Sequence, residues 1–211
     1  SQKNGGIIFA NPNAPTGIAL SLDKVKTLLT NNPDSVVVID EAYADFGDGS
    51  AISLINEFEN LLVVQTVSKS RSLAGLRVGI ACGNADLIEG LERVKNSFHP
   101  YALDQLAIAG ATAAFEDNDY FKQTCQQVIQ TRESTIKELE GLGFSMLPSQ
   151  TNFVMAKHKT AKAPDLFKAL RDKKILVRYF SAPRVDEYLR ISIGTDDEMA
   201  ALITALSDIL S

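Results

Sequence analysis

The stretch Val36-Val37-Val38-Ile39-Asp40-Glu41-Ala42-Tyr43 decides the fold of this chain. Its first four residues are apolar on both faces of a strand, and a second run, residues 61–64, has the same character. Strands of that kind are covered on both sides, which is typical of a mostly parallel sheet. The stretch therefore predicts an α/β fold with helices on both faces of the sheet.

Short apolar runs and helical patterns alternate on either side of this stretch. In the first part we predict strands at 6–10, 36–39, 61–66 and 77–82. We also predict one helix that begins at Ser21 and two more at 51–58 and 87–94. After residue 100 we predict helices at 104–115, 119–142 and 163–173, strands at 153–156, 175–178 and 189–193, and a last helix with the capping box Thr195 to Glu198. This change in the pattern of predicted elements indicates two domains, one of residues 1–115 and a smaller α+β domain of residues 116–211.

Composition excludes several classes of partner. The 211 residues carry a net charge of −5, and the two signs are interspersed, so we expect no nucleic-acid partner. The apolar runs are far shorter than the roughly 20 residues that span a bilayer, so we expect no membrane partner. Cys82 and Cys125 are typical of reduced thiols in a cytoplasmic protein, and His99 and His158 are too separated to indicate a metal site.

Polar side chains directly follow three of the predicted strands. The carboxyl ends of parallel strands meet at one edge of an open α/β sheet, where ligands bind, so we expect these side chains to lie together. They are Asn13 after the first strand, Asp40 and Tyr43 after the second, Thr66 at the end of the third, and Ser68 and Lys69 after it.

Arg77 opens the predicted fourth strand and reaches the same edge only if that strand runs antiparallel to the third. The connection between the two strands, residues 67–76, has ten residues. A parallel crossover needs a dozen or more, usually with a helix, so the short connection favours the antiparallel arrangement.

The groups collected at this edge suit pyridoxal phosphate (PLP), whose chemistry needs a lysine, an acid facing the ring nitrogen and a cationic grip on the phosphate. Lys69 would bind the cofactor covalently and later act as the base that moves the substrate proton. Asp40 would keep the ring nitrogen protonated, and Tyr43 would donate to the ring hydroxyl. Arg77 offers a planar guanidinium to phosphate oxygens.

Four strings of the chain, in this order, resemble those of the fold-type I PLP-dependent aminotransferases: NPNAPTG (11–17), VVVIDEAYADF (36–46), TVSKSRSLAGLRVG (66–79) and YLRISIGT (188–195). The second and third strings are most similar to the histidinol-phosphate aminotransferase family, and the similarity runs from about Gly5 to the last helix. It implies a PLP-binding large domain and a small C-terminal domain. It also implies reversible transamination in histidine biosynthesis, between histidinol phosphate with 2-oxoglutarate and imidazole acetol phosphate with glutamate.

The resemblance also implies roles for individual residues. In the large domain, Asp40 faces the pyridine nitrogen, Tyr43 the ring hydroxyl, Lys69 the aldehyde carbon, and Thr66, Ser68 and Arg77 the phosphate. In the small domain, Arg190 grips the anionic group of the substrate, Arg178 is associated with its phosphate end, and Asn152 is a further substrate contact.

One position departs from the family pattern. The family motif usually reads NPNNPTG, and its second internal asparagine hydrogen-bonds the ring hydroxyl, whereas this chain has Ala14 there. Either Tyr43 carries that contact alone or Asn13 compensates. One neutral hydrogen bond contributes about 0.5–1.5 kcal/mol, so we expect weaker polarisation of the cofactor and not its loss.

The beginning of the chain also departs from the family. Members carry a long N-terminal part before the NPN motif, which supplies a phosphate cup, an aromatic residue stacked on the ring and a tyrosine that crosses the dimer interface. Ser1 lies only a few residues before the first predicted strand. We therefore expect a fragment of a homodimeric enzyme that binds PLP poorly or not at all by itself.

Two other classes of function stay open. The first is another fold-type I enzyme, either an aminotransferase for aromatic or other amino acids or a threonine-phosphate decarboxylase. The second is a non-catalytic, aminotransferase-like sensor domain. The joint presence of Asp40, Tyr43, Lys69 and Arg77 argues against a decayed site.

Overall fold

The computed structural model describes residues 4–211, which form two compact units. The first unit contains residues 4–13 and 19–123, and the second contains residues 14–18 and 124–211. Each unit has its own sheet and its own apolar core.

The first unit is built on a four-stranded sheet in the order β1-β2-β3-β4. Parallel pairing joins β1 to β2 and β2 to β3, whereas β4 runs antiparallel to β3. The mostly parallel α/β sheet and the antiparallel return are thus confirmed. The strands are β1 (Ile7–Ala10), β2 (Val37–Asp40), β3 (Leu61–Thr66) and β4 (Gly79–Gly83).

Helix α1 (Leu22–Thr30) covers one face of this sheet. It begins after Ser21, whose hydroxyl accepts a hydrogen bond from Lys24 N, as the sequence predicts. Its buried residues Val25 and Leu29 pack with the alternate residues of β2 and β3 that point to the same face. On the other face the side chain of Ile8 is 77% exposed.

The helix predicted at 51–58 is wrong. The structure has only a 3₁₀ turn, Ala51–Leu54, whose two buried residues Ala51 and Leu54 are three positions apart. The chain then turns toward β3, where Leu61 N donates to Phe58 O.

Glu41 anchors this turn to the sheet. Its carboxylate is buried, with 3% of the residue exposed, and accepts hydrogen bonds from Ala51 N (2.6 Å), Gln65 Nε2 (3.0 Å) and the Ser50 hydroxyl. A buried charge is tolerated only with such partners. Glu41 is therefore a structural acid.

We predict that Glu41→Ala lowers the free energy of unfolding by about 2–3 kcal/mol, because it leaves the buried Ala51 amide and the Ser50 hydroxyl without their acceptor. Urea denaturation of the chain measures this change. The exposed Glu59→Ala is the matched control and should leave the midpoint unchanged. Equal midpoints for the two variants would contradict the anchoring role.

Two further helices follow the first sheet. They are α2 (Ala85–Phe98), which begins after Asn84, and α3 (Gln105–Glu116), which begins after Asp104. None of the residues of α2 is buried, and Phe98 at its end is 89% exposed. On α3 the small residues Ala107 and Ala111 are buried.

The second unit is an antiparallel sheet in the order β5-β6-β8-β7 with three helices. Its core contains Val154 and Leu189 from the strands and Leu166, Leu170 and Leu202 from the helices. The elements are α4 (Asn118–Gly141, which begins in the first unit), β5 (Phe144–Met146), β6 (Phe153–His158), α5 (Ala163–Asp172), β7 (Arg178–Tyr179), β8 (Leu189–Ser192) and α6 (Asp196–Leu210).

The start of α6 is as predicted, whereas one strand is not. Thr195 and Glu198 form the reciprocal capping box. The strand expected at 175–178 is wrong over most of its length, because residues 174–175 belong to the turn that caps the C-terminus of α5. Lys174 has a φ of 65°, and Ile175 N donates to Leu170 O, which is a common helix C-terminal geometry.

Candidate active site

Asp40 ends β2 at the carboxyl edge of the first sheet. Alternation along the strand buries Val37 and Ile39 and leaves Asp40 exposed. One carboxylate oxygen of Asp40 accepts a hydrogen bond from Ala42 N at 3.0 Å. The acid next to it, Glu41, points to the opposite, buried face. Of these two acids, Asp40 is therefore the one whose carboxylate a ligand can reach.

Lys69 and Tyr43 lie close to each other at this edge. The ammonium nitrogen of Lys69 is 5.6 Å from the centroid of the Tyr43 ring. The segments that carry them are joined by a hydrogen bond of 2.5 Å from the Ser70 hydroxyl to the Asp45 carboxylate. The amine and the phenol are thus held on neighbouring, connected segments.

Thr66 and Ser68 form a local hydroxyl pair at the end of β3. The Thr66 hydroxyl lies 2.9 Å from the Ser68 hydroxyl and 3.1 Å from Val78 O, and it accepts a hydrogen bond from Ser68 N. Both residues are half-buried. The pair offers short, fixed hydroxyl groups beside the exposed Lys69.

Arg77 lies at the same edge because β4 is antiparallel. The sequence predicted that Arg77 opens this strand, but β4 begins two residues later at Gly79, which pairs with Thr66. Arg77 has a left-handed φ of 57°, is exposed, and uses one guanidinium nitrogen to donate to Ala74 O. A guanidinium has five N–H donors, so one internal bond leaves it capable of binding an anion.

Asn11 closes the loop that carries the NPN motif (residues 11–17). Sequence reasoning did not single out this residue. Its side-chain oxygen accepts from Leu20 N at 2.7 Å, and its amide donates to Leu20 O at 3.2 Å. Asn13, the predicted cofactor residue, is half-buried at the end of the first stretch of the first unit. Ala14 is exposed.

The loop continues into the second unit with residues 14–18. Gly17 O accepts a hydrogen bond from Gln150 N at 2.9 Å. Gly17 has a φ of 82°, and a Cβ built on it would lie 2.8 Å from the Ser149 hydroxyl. Only glycine fits this close approach to the segment that leads to Asn152.

The segment of Asn152 is held by a buried arginine that sequence reasoning did not select. Arg132 of α4 is only 5% exposed, donates to Thr151 O at 2.9 Å and pairs with Glu133. Asn152 itself is half-buried, and its backbone carbonyl accepts from Ile193 N.

Arg178 and Arg190 are paired residues of β7 and β8. The guanidinium carbon of Arg190 is 5.0 Å from the Phe153 ring centroid and 5.6 Å from that of Phe180, and Arg178 lies 5.4 Å from Phe180. The buried Nε of Arg190 has no hydrogen-bond partner among the described residues. Like charges at paired positions repel each other, so this pair favours an anionic ligand.

The predicted site residues therefore fall into two groups. The edge of the first sheet brings together Asp40, Tyr43, Thr66, Ser68, Lys69 and Arg77, with Asn13 at the end of the neighbouring loop. Asn152, Arg178 and Arg190 belong to the second unit. Within residues 4–211 no group of histidine, cysteine and acidic side chains could hold a metal, and no helix is long and apolar enough to cross a membrane.

Comparison with known proteins gives consistent matches along the chain. The family model for aminotransferase class I and II matches residues 1–206. Histidinol-phosphate aminotransferase 1 of Pseudomonas aeruginosa is 57% identical over 206 residues, which are 98% of this chain and 59% of that protein. Histidinol-phosphate aminotransferase of Marinomonas sp. is 58% identical over 203 residues, which are 95% of this chain and 58% of that protein.

A solved structure agrees with these matches. The crystal structure of histidinol-phosphate aminotransferase from Sinorhizobium meliloti in complex with pyridoxal-5'-phosphate is 25% identical and superposes with a TM-score of 0.85. The match covers 98% of this chain and 57% of that one. The chain thus spans a little under three fifths of the length of each of these three relatives.

Proposed function

This chain belongs to the aminotransferase class I and II family, and from that premise we propose that the full natural protein is a PLP-dependent histidinol-phosphate aminotransferase. The family predicted from the four sequence strings is confirmed. The proposed reaction moves the amino group between histidinol phosphate and 2-oxoglutarate in histidine biosynthesis. The observation that carries the proposal is the identity of 57% and 58% to two relatives with that name over nearly the whole chain.

The side chains at the edge of the first sheet fit the proposed cofactor. They comprise one amine, one exposed carboxylate, one phenol, two hydroxyls and one guanidinium, and that donor set matches an aldehyde, a ring nitrogen, a ring hydroxyl and a phosphate. When bound, PLP supplies an aldehyde and an electron-accepting ring. The residues that would hold its phosphate are Thr66, Ser68 and Arg77.

Each of the remaining residues has a proposed task. Lys69 would hold the cofactor by its amine and would move a proton to and from the substrate Cα. Asp40 keeps a proton on the ring nitrogen by its negative charge. Tyr43 donates a hydrogen bond to the ring hydroxyl, to which Asn13 is a further candidate contact. The ammonium nitrogen of Lys69 is 5.6 Å from the centroid of the Tyr43 ring, which supports the proposal that both residues contact the same cofactor.

The substrate class is a phosphorylated amino alcohol, paired with a 2-oxo acid. It is supported by the two neighbouring guanidinium groups of Arg178 and Arg190 and by the unpartnered Nε of Arg190. We propose Arg190 and Arg178 as anion contacts of the substrate and Asn152 as a further contact. Turnover of histidinol phosphate, phenylalanine and aspartate by the full protein tests this, and equal or higher turnover of phenylalanine would contradict it.

Arg190→Leu in the full protein should raise the KM for histidinol phosphate about 10- to 100-fold, because hydrogen bonds to a charged group contribute about 1.5–3 kcal/mol. Steady-state kinetics measure the effect. Arg171→Leu, an exposed arginine at the end of α5, is the matched control. Identical KM values for the two variants would remove Arg190 from the substrate site.

We also propose that the full protein is a homodimer in the cytoplasm, as the family resemblance implies. The exposed apolar side chains Val94 and Phe98 of α2 and Leu106 of α3 are compatible with further burial in an assembly. Light scattering of the full protein would measure its mass, and a monomer would contradict this proposal.

A further inference from the structure

The connection between β3 and β4, residues 67–78, carries Lys69 between fixed neighbours. Ser70, the next residue, is buried and donates to Asp45. Ser72 N donates to the backbone carbonyl of Lys69 at 3.1 Å, and Leu73 N donates to Val67 O at 3.1 Å. The backbone at Lys69 is thus held while its side chain stays exposed.

The connection is seated on the face of α3 that carries small residues. Val67 and Val78 form a buried cluster with Ala107 and Ala111 of that helix. A Cβ built on Gly110 would lie 2.8 Å from a methyl carbon of Leu76, so glycine permits the close approach. This packing is apolar and has little directional preference. It therefore does not by itself prevent the connection from sliding along α3.

Arg71 supplies the directional contact at the C-terminal end of α3. Its guanidinium carbon is 4.1 Å from the ring centroid of Phe115 and 3.9 Å from that of Phe121, which puts the cation between two aromatic rings. One guanidinium nitrogen donates to Ala114 O in the last turn of α3. A cation is stabilised there by the rings and by the negative end of the helix dipole.

We propose that Arg71 is a positioning residue for Lys69. It lies two residues after Lys69, and by holding the connection to the junction of α3 and α4 it sets the place from which the Lys69 amine projects. Its importance for catalysis rests on the proposed function of Lys69, whereas its hold on the connection does not. The two parts can therefore be tested separately.

The hold on the connection is tested by amide hydrogen exchange on the 211-residue chain. In Arg71→Met, which keeps an unbranched apolar stem but loses the planar cation, the amides of Ser72 and Leu73 should exchange about tenfold faster or more. Arg71→Lys keeps the charge without the planar fork and should give an intermediate rate. Amides within β3, such as Val63, should keep their rates.

Arg93→Met is the matched control, because Arg93 is an exposed arginine of α2 that pairs with Glu89 one turn away. It should leave every amide of residues 67–78 unchanged. Unchanged rates at Ser72 and Leu73 in Arg71→Met would overturn the inference. So would an equal acceleration throughout β3, since it would indicate that Arg71 contributes only to global stability.

The effect on Lys69 is tested by kinetics of the full protein. Displacing a reacting group by about 1 Å can cost roughly 100-fold in rate, so kcat of Arg71→Met should fall by about 10- to 100-fold while the KM for histidinol phosphate stays within about twofold. Arg71→Lys should recover part of kcat. A normal kcat in Arg71→Met, or a rise in KM alone, would overturn the positioning role. If wild type shows no transamination while exchange is accelerated as expected, the proposed function fails and the hold on the connection stands.

Discussion

The Lys69→Ala variant of the full protein is expected to lose transaminase activity by about 10⁴-fold or more. The variant lacks the amine that we propose both holds the cofactor and moves the substrate proton, and proton transfer by a positioned base alone contributes about 10²–10⁴-fold. Steady-state turnover of histidinol phosphate measures the loss. Borohydride reduction in the presence of PLP, followed by peptide mass analysis, should find a pyridoxyl group on Lys69 in wild type and none at that position in the variant.

Stability should not change with this substitution. Lys69 is exposed, and its contact with the Tyr43 ring is at an exposed site, where such contacts contribute only about 0.5–1 kcal/mol. Lys24→Ala, an exposed lysine of α1, is the matched control and should keep full activity. Normal turnover in Lys69→Ala would show that another group performs its task and would remove the central residue of the proposed site.

The second large effect is expected from Asp40→Asn, with a fall in kcat of at least about 10²–10³-fold, comparable to the loss of one electrostatic group that acts in the transition state. The substitution is isosteric, and an amide oxygen can still accept the hydrogen bond from Ala42 N. The change therefore removes the negative charge and little else. A neutral amide does not hold a proton on the ring nitrogen of PLP.

Two comparisons separate charge from structure at Asp40. Asp34→Asn removes a charge from an exposed aspartate in the turn before β2 and should keep normal kcat. Glu41→Ala should lower stability, whereas Asp40→Asn should unfold at the wild-type urea concentration. Full activity in Asp40→Asn, or its unfolding at much lower urea, would refute the assignment of Asp40 as the functional acid.

Much of the first sheet follows from local sequence. The runs at 36–39 and 61–64 are apolar on both faces, and the short connection 67–76 leaves room for an antiparallel return only. The helix predicted at 51–58 failed because its start is fixed by Glu41, a contact between residues ten positions apart. Strand β5 has only three residues and owes its conformation to pairing with β6, so it carries no periodic signal of its own.

Some residues of the candidate site could likewise be predicted from local sequence, whereas others could not. The side chains that end β2 and β3 were predictable because strand ends of a parallel sheet meet at one edge. Arg71 was not, because its partner Ala114 is 43 residues away and the two phenylalanines look like ordinary helix residues. Arg132 resembles a solvated residue of an amphipathic helix, and only the tertiary fold buries it against Thr151.

The neighbouring acids Asp40, at the end of β2, and Glu41, directly after it, make the proposed chemistry depend on correct strand pairing. Asp40 pairs with Ala10 on one side and Val64 on the other, so two parallel ladders fix its alignment. A shift of one residue would exchange the faces of Asp40 and Glu41, burying the proposed functional charge and exposing the structural one. A chain misaligned in this way would lack the proposed functional acid at the sheet edge and would also be less stable. Correct alignment of β2 during folding therefore also puts the proposed functional acid in place.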